Sequence, residues 1–253
     1  MKRILILGGT TEARRLAAQL ASRSDLAVTL SLAGRTAAPA AQPVPIRVGG
    51  FGGAAGLAAF LEAQAIDVLI DATHPYAVQI SANAIGAAAR ARVPLLALER
   101  PAWEPVDGDR WIEVADMPAA VTALGSTPRR VFLALGRNEL RPFEAAPAHF
   151  YLIRSVDPVE PPLALPDAIY LTGRGPFNEA AEHALLVQHR IDVIVAKNSG
   201  GTATYGKIAE ARGLGLPVIM LRRRPPRAEA AGSVEEVLAR LDHVLASAAA
   251  RGV

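Results

Sequence analysis

The sequence states one structural pattern twice. Ile66-Asp67-Val68-Leu69-Ile70 recurs as Ile191-Asp192-Val193-Ile194-Val195, 125 residues further on. Further along each copy, Val93-Pro94-Leu95-Leu96-Ala97-Leu98 is echoed by Leu216-Pro217-Val218-Ile219-Met220-Leu221. Earlier, Ile6-Leu7-Gly8 answers to Ala134-Leu135-Gly136, and Val48-Gly49-Gly50-Phe51-Gly52 to Leu171-Thr172-Gly173-Arg174-Gly175. A repeat this long is a whole domain, whereas solenoid repeats run to roughly 20–50 residues. The expectation is two related Rossmann-like lobes of α/β class, 1–125 and 126–253, each a mostly parallel sheet flanked by helices. A cleft between them is the expected place for chemistry.

Composition narrows the function classes. Hydrophobic residues make up 51% and charged residues 20%, so each lobe has enough apolar side chains to bury a core. The net charge of +3 suits an anionic small ligand. Nucleic acid is the weaker reading, because no Lys/Arg run is interleaved with stacking aromatics. Zero Cys removes disulfides and thiolate metal sites and fits a cytoplasmic protein. No segment has the length and apolarity of a membrane span, and the five His are too scattered for a metal site.

Short β-branched runs alternate with Ala-rich stretches, the pattern of parallel βαβ units. The first lobe is predicted to hold strands near 3–7, 27–32, 45–48, 67–71 and 94–98, with helices near 11–22, 53–64 and 75–91. Pro75 would sit in the first turn of that third helix, capped by Thr73 or His74. A strand near 111–114 and a helix near 117–124 lead to a break at Gly125-Ser126-Thr127-Pro128. The second lobe follows with strands near 130–135, 149–154, 168–172, 192–196 and 217–221, and helices near 177–189, 202–212 and 233–246.

In such sheets ligands meet the loops beyond the carboxyl ends of the strands. Gly8-Gly9-Thr10-Thr11-Glu12 follows the first strand and is either a tight turn or a phosphate cradle at a helix N-terminus. Its spacing is not the full G-x-G-x-x-G fingerprint. After the second strand, where an NAD enzyme carries Asp or Glu, stand Ser31, Arg35 and Thr36, and no carboxylate occurs between Asp25 and Glu62. An arginine with hydroxyls there suits a 2′-phosphate, which points to NADP(H). Gly49 and Gly50 open a glycine-rich loop after the third strand. Thr73, His74, Pro75 and Tyr76 follow the fourth, as helix cap or as contacts to a nicotinamide. In the second lobe, Lys197-Asn198-Ser199-Gly200-Gly201 combines a cation with a helix N-terminus and reads as an anion site. No Gly-x-Ser-x-Gly elbow and no Tyr-x-x-x-Lys pair occur, which argues against a hydrolase triad and a short-chain reductase. A non-catalytic nucleotide sensor is the remaining rival.

Together, Gly8-Gly9-Thr10-Thr11-Glu12-Ala13, Asp71-Ala72-Thr73-His74-Pro75-Tyr76-Ala77, Glu99-Arg100-Pro101, Gly175-Pro176-Phe177 and Lys197-Asn198-Ser199-Gly200-Gly201 resemble the precorrin-6A reductase family of cobalamin biosynthesis. The resemblance implies a two-lobed α/β fold and NADPH-dependent reduction of one macrocycle double bond, hydride going to C19 and a proton to C18, to give precorrin-6B. The family includes members acting on the cobalt-loaded substrate, and other enzymes of the same pathway are possible partners. Carried onto this chain, the first lobe binds NADPH. By the strand-end rule, Arg100, Arg137, Arg174 and the 198–201 loop are expected to face the polycarboxylated tetrapyrrole-derived substrate. His74, Tyr76 and Lys197 are the candidate catalytic residues.

Overall fold

The computed structural model describes residues 1–34 and 41–250. Arg35 and Thr36 lie outside them. The chain divides into two compact units, Met1–Pro101 with Pro225–Val253, and Ala102–Arg224.

The first unit is built on five parallel strands, β1 (Lys2–Leu7), β2 (Leu26–Leu32), β3 (Ile46–Val48), β4 (Val68–Asp71) and β5 (Leu95–Ala97), in the order β3-β2-β1-β4-β5. Helices α1 (Thr11–Leu20), α2 (Gly53–Ala63) and α3 (Val78–Ala91) connect them. The unbroken apolar run of β1 is that of a strand covered on both faces. Ile4 and Ile6 pack with Ala13, Leu16 and Leu20 of α1. Leu5 and Leu7 pack with Leu57 and Leu61 of α2 and Ala84, Ala87 and Ala88 of α3.

The second unit has six parallel strands: β6 (Trp111–Val114), β7 (Arg130–Ala134), β8 (Phe150–Ser155), β9 (Ala168–Thr172), β10 (Val193–Lys197) and β11 (Val218–Leu221). Their order is β6-β11-β10-β7-β8-β9. The run β9-β8-β7-β10-β11 repeats the arrangement of the first sheet, so the sequence repeat is a repeat of topology. Helices α4 (Met117–Leu124), α5 (Glu179–Gln188) and α6 (Gly206–Gly213) accompany it. Where the first unit has α1, the second has two short 3-10 turns, Arg137–Glu139 and Arg141–Ala145.

Two expectations are corrected. The division is not at 125: β6 pairs with β11 in the second sheet, and α7 (Val234–Ala250) belongs to the first unit. The physical reason is burial, because Val234, Val237 and Leu241 of α7 fill the same core as Ile4, Ile6 and Leu16. Leu98 also bridges to Ala231, so the returning segment runs beside β5. The second correction is the start of α3, which begins at Val78 after an Ala77 cap with no side-chain hydrogen bond. Pro75 and Tyr76 form a preceding turn closed by the Ala77 N–H on the His74 carbonyl at 2.7 Å. Thr73 therefore caps nothing. Among the described residues no helix is long and apolar enough to cross a membrane.

Candidate functional site

In the first unit the chain leaves β1 toward α1 on one face and enters β4 from the other, which opens a crevice at the carboxyl ends of these neighbouring strands. Gly8 has no room for a side chain: a Cβ there would stand 2.5 Å from Leu30 Cδ1 and 3.3 Å from Ala13 Cβ. Gly9 has φ +118°, open only to glycine without strain, and its missing side chain would meet nothing within 4 Å. Thr10 caps α1, its hydroxyl oxygen accepting from the Ala13 N–H at 3.0 Å and donating to the Ala72 carbonyl at 2.9 Å. Thr11 and Glu12 form the first turn of α1. Glu12 is ion-paired with Arg100, which offsets the negative charge at an otherwise anion-attracting helix end.

A cavity of about 170 Å³ lies beside this turn, lined by Gly8, Ser31, Gly49, Gly50 and Thr73, with Phe51, Leu57 and Ile80 forming its apolar side. Thr73 is held there by Asp71, whose Oδ1 accepts from the Thr73 hydroxyl at 2.7 Å and from its N–H at 3.2 Å. The other oxygen of this buried carboxylate takes Arg227 at 2.8 Å, and Arg227 also pairs with Glu99. Burial disfavours the Arg227 charge, but Glu99 and Asp71 outweigh it and raise its pKa. Beyond Thr73, His74 Nδ1 accepts from the Tyr76 N–H at 3.3 Å, and the two rings lie 5.7 Å apart. A neutral His74 so held carries its proton on Nε2.

The second unit presents different chemistry at its strand ends. Lys197, the last residue of β10, donates to both oxygens of Glu139 at 2.9 and 2.7 Å, and Glu139 also accepts from the Gly136 N–H. Arg137 and Arg174, after β7 and β9, are exposed. Asn198 is buried and spends its side chain on Trp103, accepting from its N–H at 2.7 Å and donating to its carbonyl at 2.8 Å. The Ser199 hydroxyl donates to the Lys197 carbonyl, and Gly200 and Gly201 take positive φ, Gly201 offering its carbonyl to the Trp103 indole N–H at 2.7 Å. Deeper in this unit Arg154 is ion-paired with the buried Glu182 and stacks 3.7 Å over Phe177. Lys207, buried, donates to the Thr204 carbonyl at 2.6 Å and lies 5.2 Å from the Trp103 ring.

The family model for Precorrin-6x reductase CbiJ/CobK matches residues 3–242. The chain belongs to this family. The solved structure of CobK precorrin-6A reductase superposes with a TM-score of 0.92 at 49% identity, covering 96% of this chain and 97% of that one. A precorrin-6A reductase from a Sinorhizobium species is 59% identical over 97% of this chain and 95% of its own. A protein of the same name from Rhodobacter capsulatus is 51% identical over the full length of both.

Within this member of the precorrin-6x reductase family, the cavity gathers Gly8, Ser31, Gly49, Gly50 and Thr73 from four separate strand ends. Gly9, Thr10, Thr11 and Glu12 form the adjoining turn, while His74, Pro75 and Tyr76 continue the loop beyond Thr73. An added Cβ at Gly9, Gly49, Gly50, Gly52 or Gly53 would meet nothing within 4 Å, so the loops bare their backbone beside free space. Such a cradle fits a dinucleotide phosphate. Sequence reasoning missed Arg227, which returns far downstream to clamp Asp71, and the Arg154–Glu182–Lys207 cluster, whose members share no local pattern.

That cluster carries a pH prediction. Burial, reinforced by Arg154 and opposed by Glu182, pushes Lys207 from 10.5 down to about 7. Between those values the unfolded chain binds a proton that the folded chain sheds, so this site's contribution to stability rises with pH across that window. Urea unfolding of wild type and Lys207→Met at pH 7 and pH 9 checks it. Wild type is expected to gain on the variant at the higher pH, and parallel behaviour would show that Lys207 stays charged.

Proposed function

We propose that this chain is a precorrin-6A reductase that uses NADPH to reduce one double bond of the metal-free macrocycle, giving precorrin-6B. The observation that carries the cofactor assignment is the glycine-walled cavity at the β1/β4 crevice, joined to an α1 N-terminus whose single acid is neutralised by Arg100. The relatives that support the metal-free substrate are named precorrin-6A reductase at 51% and 59% identity.

When bound, the reduced nicotinamide supplies the hydride that goes to C19. The chain's own residues bind, orient and supply a proton. Backbone N–H groups of the Gly9–Glu12 segment, with Gly8 giving the close approach, hold the pyrophosphate, and Ser31 with Arg35 and Thr36 hold the 2′-phosphate. Thr73, fixed by Asp71, sets the loop that carries His74, Pro75 and Tyr76 toward the nicotinamide end. His74 holds a proton at Nε2 for C18, with Tyr76 and Lys197 the alternative donors. Arg137, Arg174 and the 198–201 loop take the substrate's carboxylates.

Anaerobic incubation of the protein with NADPH and precorrin-6A, following the absorbance of both, tests the reaction; consumption of neither would overturn it. For the cofactor, Arg35→Ala is expected to weaken NADPH by about 1.5–3 kcal/mol, ten- to a hundredfold, and to leave NADH unchanged. For the substrate, Arg137→Ala and Arg174→Ala are expected to raise the KM for the precorrin at constant NADPH affinity. An Arg137 variant impaired only in cofactor binding would reverse the division of labour between the units.

A further inference from the structure

We propose that Arg47 is a positioning residue for the cofactor: it folds the Gly49–Gly53 loop into the wall of the nucleotide cavity, without itself reading the 2′-phosphate. The inference rests on the reading of that cavity as the NADPH site. Four of the five residues from Gly49 to Gly53 are glycine. Gly49, Gly52 and Gly53 have φ of +116°, +81° and +85°. A segment of this kind has little conformational preference of its own, so something outside it must select the shape that lines the cavity.

Arg47 makes that selection from the neighbouring strand. It is in register with Ser31 across the β2–β3 ladder, and adjacent partners on a sheet point to the same face, so it stands next to a residue of the cavity wall. Its guanidinium donates to the Gly49 carbonyl at 2.6 Å and to the Gly50 carbonyl at 2.8 Å. Its Cζ lies 3.7 Å from the centre of the Phe51 ring, and Phe51 is locked edge-to-face on Phe60 of α2 at 5.1 Å. One rigid fork therefore fixes three consecutive residues of the loop. A lysine's ammonium is a compact point charge with no planar face, so it cannot present the rigid fork to both carbonyls and lie flat on the ring at once.

The role has a signature separate from phosphate recognition. A misfolded loop weakens every nicotinamide dinucleotide alike, whereas a lost phosphate contact weakens NADPH alone. Fluorescence titration of the whole protein with NADPH and with NADH reads the two. Arg47→Met and Arg47→Lys are each expected to lower both affinities at least tenfold at a constant NADPH/NADH ratio. The KM for precorrin-6A and kcat at saturating NADPH are expected to stay near wild type, and amide hydrogen exchange over residues 49–56 to quicken. Phe51→Leu, which keeps both carbonyl contacts, is expected to show a smaller loss with the same unchanged ratio. Failure of the wild-type protein to bind either cofactor would overturn the reading of the cavity, and the inference with it. Wild-type binding with Arg47 variants of unaltered affinity, or with loss confined to NADPH, would overturn the inference alone.

Discussion

Gly56→Ala is expected to reduce NADPH binding by more than tenfold and to destabilise the first unit by about 1–3 kcal/mol or more, the range for overpacking in a well-packed region. A Cβ on Gly56 would fall 1.8 Å from the Phe51 carbonyl oxygen and 2.9 Å from its carbon. Both are backbone atoms, so no side-chain rotation relieves the clash. Either the first turn of α2 opens or the Gly49–Gly53 loop is driven off the helix, and the loop is the less constrained of the two. Gly213→Ala is the control. Its Cβ would meet nothing within 4 Å at the end of α6, so the variant is expected to be neutral or more stable by about 0.4–1 kcal/mol. Urea unfolding and cofactor titration of both variants decide the matter. A Gly56→Ala protein with wild-type affinity would show that the loop's seat on α2 has no part in binding.

Glu182→Ala is expected to cost the second unit about 3–5 kcal/mol, the penalty for stranding a buried charge. The Glu182 side chain is 2% exposed and its partner Arg154 10%, so neither charge has water to fall back on. Lys207, close enough to feel both, loses the one carboxylate that favours its protonation. The variant should therefore shed the Lys207 proton at still lower pH, and its deficit should shrink as pH rises. Replacing the pair together, Glu182→Leu with Arg154→Met, is expected to recover much of the loss, because two apolar groups leave no orphan. A Glu182→Ala protein with the wild-type unfolding midpoint would mean that water reaches Arg154.

The strands were legible because a parallel strand covered on both faces reads as a near-continuous apolar run, with polar residues confined mainly to its ends. Ile66–Ile70 and Ile191–Val195 announce β4 and β10 by that rule alone. The cavity's glycines and Ser31 were legible because ligands meet strand ends, and strand ends follow from strands. The rest depended on distance. Nothing local in Arg227 says that it returns to Asp71, and the place of α7 is decided by which core remains uncovered. Lys207, Arg154 and Glu182 look like ordinary helix and strand charges until the fold removes them from water. A fifth glycine at Gly56, three residues past the Gly49–Gly53 loop, was a signal that could have been read as a close approach.

The return of α7 to the first unit sets an order of assembly. As the chain emerges, Ile4 and Ile6 of β1 have α1 beside them, yet Val237 and Leu241, which complete that core, are made only after all of β6 to β11. The second unit is one uninterrupted stretch, 102–224, and holds every strand of its sheet before α7 is synthesised. The part of the protein that begins first is thus the part that closes last, and until α7 arrives the apolar surface it covers, beside α1 and β5, stays open to solvent.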